Sequence, residues 1–244
     1  MTESPSSAAT PQPWRPHEFD HRHGDVSGGW LRAATFGAMD GLVSNTALIA
    51  GVGAAADAHA VVIGGFAGLV AGAFSMALGE FASVTTANEQ IESEMRVEQR
   101  AFRLHPQAEK AELVDMLVTM GLTQETAAKA SDEIHRDESR ALNFHLSQEL
   151  GVDPEDKPSP YVAAGSSFVM FAIGAIVPLI PYLIGFRSLW LGLLFGGVGL
   201  VIAGAVAARF TKKPLWWASL RQLLFGTVAI AATYVVGTLI GTVV

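Results

Sequence analysis

The sequence predicts an all-α, multi-pass membrane protein with five transmembrane helices and a cytoplasmic three-helix insert between spans two and three. Three observations predict it. Half of the 244 residues are apolar and only 16% are charged, against about 25% charged in an ordinary soluble domain. The apolar residues gather into runs of about 20 or more, the length a helix needs to cross a bilayer. One internal stretch, 87–158, has the opposite composition, with 16 of the 23 acidic residues and 8 of the 16 basic ones.

The first 25 residues are polar and rich in Pro, Ser and Ala. They lack the apolar core of a secretory signal, and residues 1–27 read as a disordered cytoplasmic tail. Spans one and two are expected at about 31–54 and 60–86, a hairpin within 28–86. No Gly or Pro falls between Glu80 and His105, so span two should run on as one long helix until His105-Pro106 breaks it. A second insert helix runs from Pro106 to Met120 and is ended by Gly121. Thr123 is placed to cap a third, which should continue to Gly151. The insert is thus an acidic helical domain over 87–158, closed by a Pro- and charge-rich linker from Asp153 to Pro160.

Spans three, four and five are expected at about 160–184, 188–208 and 218–243, within 159–244. Pro178-Leu-Ile-Pro181 removes backbone donors late in span three, which kinks or stops the helix. A broken helix lining a pathway and a plain helix end both remain open. Trp30, Trp190, Trp216 and Trp217 flank the spans as interfacial aromatics. Orientation follows from the short loops. The Ala-Asp-Ala-His connection after span one has no Lys or Arg. Arg15, Arg22 and Arg32 precede that span, and Arg209, Lys212 and Lys213 follow span four. The positive-inside rule then places the N-terminus, the insert and the 209–217 loop in the cytoplasm and the C-terminus outside, with Arg187 as a mild exception.

Several chemistries are excluded at once. There is no cysteine, hence no disulfide, thiolate metal site or thiol catalysis. No nucleotide fingerprint, phosphate loop or HExxH is present, and the acidic insert argues against nucleic acid.

The charges at membrane depth carry the most information, because each costs about 2.5–3.5 kcal/mol to insert and is therefore functional by default. Asp40 interrupts an otherwise uncharged run from Ala33 to Ala56; Met76 and Glu80 fall in the run from Ala60 to Thr86. Span one runs outward and span two inward, so at 1.5 Å per residue Asp40 and Met76 both lie about 14–15 Å from the inner surface. Glu80 is one turn nearer the cytoplasm on the Met76 face, and Ser44 and Asn45 are one turn further out. These five residues would line one path for a metal cation or for protons. The structural alternative is a buried acid satisfied by neighbouring hydroxyl or backbone groups.

In the insert, helical periodicity puts Glu94, Glu98 and His105 on one face of the first helix. It puts Glu109, Glu112 and Met116 on a face of the second, and His135, Glu138, His145 and Glu149 on a face of the third. Carboxylate and imidazole suit Fe²⁺, Mn²⁺ or Zn²⁺. The alternative is a set of solvated acidic faces. His17, His21 and His23 with Asp20 would make at most a weak metal site in the tail, and Glu89 and Glu92 read as surface.

The stretches GGWLRAATFGAMDGLVSNTALIAGV (28–52) and AGAFSMALGEFAS (71–83), supported by HLSQELGV (145–152) and PLIPYL in span three, make the chain resemble the vacuolar iron transporter family. The resemblance spans about 28–243. It implies five spans, a homodimer, and a cytoplasmic helical domain that gathers divalent metal before exchange for protons. It also implies that the family's intramembrane acid and methionine fall on Asp40 and Met76, and its cytoplasmic carboxylates on Glu98, Glu109, Glu112 and Glu149. Two positions depart from the pattern. Ala101 stands where relatives are acidic, and His145 where the family has methionine.

The expectation is a non-enzymatic, proton-coupled exporter of Fe²⁺, with Mn²⁺ as a possible second ion and no tightly bound cofactor. Its setting would be a bacterial inner membrane or, in a eukaryote, a vacuolar one. A metal-regulated cation channel and a membrane-bound iron-binding, storage or oxidase protein are the alternatives.

Overall fold

The computed structural model describes residues 29–149, 151, 157–211 and 213–243, with 149, 210 and 211 described by backbone alone. All regular structure among the described residues is helical. In chain order the helices are α1 (Gly29–Ala55), α2 (Ala58–Leu104), α3 (Pro106–Thr119), α4 (Gln124–Ile134), α5 (Glu138–Glu149), α6 (Pro160–Ile176), α7 (Ile180–Leu183), α8 (Leu189–Thr211) and α9 (Leu215–Gly241). Five stretches are long and apolar enough to cross a membrane: α1, the first part of α2, Pro160–Leu183, Leu189–Arg209 and α9. They lie within a few residues of the spans expected from hydropathy.

α1 is the central helix of the membrane bundle and touches α2, α6, α8 and α9. Small residues make this possible, since without water the helices associate through close packing and hydrogen bonds. A Cβ on Gly41 would overlap the Phe171 carbonyl, and one on Gly174 would overlap the Ala38 carbonyl. α1 and α6 thus meet backbone to backbone beside Asp40. Two hydrogen bonds fix the register: Asn45 Nδ2 donates to the Ala175 carbonyl, and Thr233 Oγ1 of α9 donates to the Ala47 carbonyl over 2.6 Å. Large apolar side chains such as Phe36, Phe74, Leu78 and Trp190 are exposed, as expected of a surface whose solvent is lipid.

The prolines of span three act as the sequence indicates. α6 gives way to a single tight turn, Val177–Leu179, and then to the four-residue α7, with Pro178 and Pro181 each opening a segment. Gly185, at a left-handed φ of 97°, ends it.

α2 continues without interruption for 47 residues, which carries the membrane hairpin directly into the polar insert. His105 ends it, Pro106 starts α3, and Gly121 (φ 104°) follows α3. Thr123 accepts the Thr126 N–H and so caps α4. The expected single third helix to Gly151 is corrected here: it is broken at 135–137 into α4 and α5. Asp137 is the cause. Its Oδ1 accepts the backbone N–H groups of Ser139 and Arg140 and the Ser139 hydroxyl, which starts a new helix. The end of α2 is therefore joined by three further helices rather than two. Leu113, Leu117 and Ala127 form their small core, backed by Ile134 and Phe144.

Candidate functional site

Two sites stand along the α2 rod. The first is in the membrane bundle. Asp40, Ser44 and Asn45 of α1 and Ser75 and Met76 of α2 line a recess of about 220 Å³, backed by Phe171 of α6 and open at the exposed Ser44 and Ser75. Gly68 and Gly72 also line it, and a Cβ on Gly72 would run into the Phe171 ring. Ser44 donates to the Asp40 carbonyl of its own helix. Asn45 is 2% exposed. Its Nδ2 must face the Ala175 carbonyl, an acceptor only, so its Oδ1 is the free end of the amide; that oxygen is buried and has no hydrogen-bond partner. The cavity therefore offers a carboxylate, an amide oxygen, two hydroxyls and a thioether. That donor set suits a partly dehydrated divalent cation.

Glu80 does not line this cavity. It lies one turn further along α2, buried, with Oε2 2.9 Å from Nη2 of Arg32 on α1. The sequence reading did not pair these two residues. The signal was present in the positions of an acid and a base at the same end of an antiparallel hairpin, but side-chain reach decides such a pair.

The second site is in the insert. Among the described residues, Glu98 of α2, Glu109 of α3 and His145 of α5 bring one ligand atom each to within 4.8 Å of one another. His145 Nδ1 is 3.3 Å from Glu98 Oε1 and 3.7 Å from Glu109 Oε2. His145 is fully buried and Glu109 is 6% exposed, its Oε2 without a hydrogen-bond partner. Burial holds the His145 pKa below the usual 6.5; Glu109 opposes this, His135 adds to it, and Glu112 opposes it. The imidazole is thus kept neutral, the form that binds metal. Phe102 walls the site: its ring lies 4.9 Å from that of His145 and is stacked on His135 at 5.6 Å. Three helices meeting at two carboxylates and an imidazole make a candidate metal site, with donors of the kind that suit a borderline divalent cation.

The other expected ligands are placed differently. Glu112 is exposed at the edge, beside Met116 and Gln148. Glu94 and His105 are exposed and lie outside the cluster. Glu138 opens α5 in a surface recess with Gln99 and Arg103. The break at 135–137 takes His135 off the helix that carries His145. The Glu149 side chain, and the tail with His17, Asp20, His21 and His23, lie outside the described residues.

Five apolar helices of membrane length, a polar recess between two of them and a candidate metal site on the extension of α2 are features of an integral membrane protein that handles ions. The sequence model of the VIT family matches residues 31–238. Vacuolar iron transporter 1 of Oryza sativa subsp. japonica is 30% identical over 89% of this chain and 88% of its own length. Vacuolar iron transporter homolog 1 of Arabidopsis thaliana is 34% identical over 87% and 84%, and the VIT-like transporter 1b of Glycine max is 32% identical over 87% and 76%. The chain belongs to the VIT family.

Proposed function

We propose that this chain is a proton-coupled divalent metal transporter that moves Fe²⁺, with Mn²⁺ as a further substrate, out of the cytoplasm. The observation that carries the reading is the recess between α1 and α2, where Asp40, the buried Asn45 amide oxygen and Met76 converge on helices that are otherwise apolar at that depth. Nothing in packing requires a carboxylate there. The names of the relatives as iron transporters support the choice of ion.

The insert is the cytoplasmic capture site, an orientation supported by the basic residues before span one and after span four. Glu98, Glu109 and His145 take the ion from solution, and Glu112 at the rim raises its local concentration. The ion passes along α2 by way of Glu80, which releases Arg32 to accept it, and reaches Asp40 and Met76. A proton entering from outside neutralises the Asp40 carboxylate, which weakens its hold on the metal and frees the ion to leave. The protein works as a homodimer, in a bacterial inner membrane or a eukaryotic vacuolar membrane. It catalyses no covalent chemistry.

Fe²⁺ uptake by proteoliposomes tests this. Asp40→Ala abolishes flux while the protein remains folded in the membrane, and normal flux in that variant would sink the mechanism. Glu98→Ala combined with Glu109→Ala raises the half-saturating metal concentration more than it lowers the maximal flux.

A further inference from the structure

We propose that His135 is a further ligand of the insert site, an imidazole that joins Glu98, Glu109 and His145 and gives the bound cation two nitrogen donors. The proposal rests on the reading of the insert as a site of divalent-metal capture. It concerns what sets the preference among metals there.

His135 caps the C-terminal end of α4. Its Nδ1 is 2.9 Å from the Ser131 carbonyl oxygen. A carbonyl only accepts, so Nδ1 carries the proton and Nε2 carries the lone pair. That Nε2 is shielded from solvent and has no hydrogen-bond partner. A buried acceptor left open needs an explanation. One ring nitrogen donating to a backbone carbonyl while the other stays free is how proteins orient a metal-binding histidine.

The surroundings point the same way. The His135 ring centroid is 5.6 Å from that of His145, and Phe102 packs against both rings. Glu109, buried and with Oε2 lacking a hydrogen-bond partner, reaches the same centre from α3. His135 stands outside the set of atoms within 4.8 Å of one another, so ligation draws its ring inward. The backbone there allows it. Between α4 and α5, Arg136 and Asp137 are held by long contacts of 3.4 Å to Glu133 and Ile134.

Two imidazoles and two carboxylates shift preference along the divalent series, towards Zn²⁺, Co²⁺ and Fe²⁺ and away from Mn²⁺, relative to a site of carboxylates alone. This chain would thus discriminate between metals through the residue that ends α4, which sequence periodicity placed on one continuous helix with His145.

The test is metal binding to the full-length protein in detergent, with Co²⁺ as the spectroscopic probe beside Zn²⁺ and Mn²⁺. His135→Gln and His135→Phe are compared with the unsubstituted protein; the phenylalanine keeps the stacking on Phe102. Both should lose about tenfold or more in Co²⁺ and Zn²⁺ affinity with a smaller loss for Mn²⁺, and shift the Co²⁺ absorption band as a nitrogen donor is lost. An unchanged band and an unchanged Zn²⁺/Mn²⁺ preference in both variants would overturn the proposal. An equal loss for all three metals would also overturn it, since that marks a packing role. Glu98→Ala with Glu109→Ala separates the two levels: if that variant binds metal as the unsubstituted protein does, the capture reading fails and this inference falls with it.

Discussion

Removing the Arg32 guanidinium leaves the Glu80 carboxylate without its partner in the α1–α2 hairpin. The two ends of the pair differ: the Glu80 side chain is 9% exposed and that of Arg32 is 64% exposed. An exposed pair contributes about 0–1 kcal/mol, whereas breaking a buried one costs about 3–5 kcal/mol because a charge is stranded. With one end dry and the other wet, Arg32→Ala should cost about 1–3 kcal/mol. Glu80→Gln should cost less than about 1 kcal/mol, since the guanidinium it releases is already largely hydrated. The double variant should resemble Glu80→Gln, because the stranded charge is gone. Thermal melting in detergent reads these differences, with Arg32→Ala lowered by about 2–10 °C. Equal effects of the two single changes, adding in the double, would refute the reasoning and make the pair a surface contact.

Two further predictions follow from the geometry. Gly41→Val forces α1 off α6 at the Phe171 carbonyl; it should cost about 1–3 kcal/mol by overpacking and impair flux by displacing Asp40. Gly165→Ala, where a Cβ meets open space, should leave both melting and flux unchanged. The third concerns pH. Because burial depresses the His145 pKa below 6.5, the unfolded chain takes up that proton before the folded one. Its stabilising contribution is complete above pH 6.5 and is lost as pH falls from there through the depressed value. Metal affinity of the insert should accordingly persist below pH 6.5 and weaken as pH falls through the depressed value. In His145→Gln, titrated by the same binding assay, that weakening should shrink.

Much of this architecture was legible because each span is a long apolar run with its own boundaries. The continuity of α2 could be read from the lack of Gly and Pro between Glu80 and His105. The break between α4 and α5 could not, because Asp137 starts a new helix through hydrogen bonds from the backbone N–H groups that follow it, and hydrophobic period carries no trace of that. The same limit applies to the insert site. Periodicity placed Glu98, Glu109 and His145 on helix faces but gave no helix-to-helix rotation, so Glu94 and Glu138 had equal standing with residues that converge. In the membrane, depth alone brought Asp40 and Met76 to one level, because two antiparallel spans share a fixed rise per residue. The Arg32 partner of Glu80 escaped that count because a long side chain reaches across a turn.

The most direct test of the central claim is Fe²⁺ uptake into proteoliposomes under reducing conditions, with and without an imposed pH gradient, while proton movement is recorded by a trapped dye. The account predicts flux that rises with the gradient, proton movement opposite to that of the metal, and loss of both in Asp40→Ala. Metal flux indifferent to the gradient, with no accompanying proton movement, would contradict it and leave a passive path.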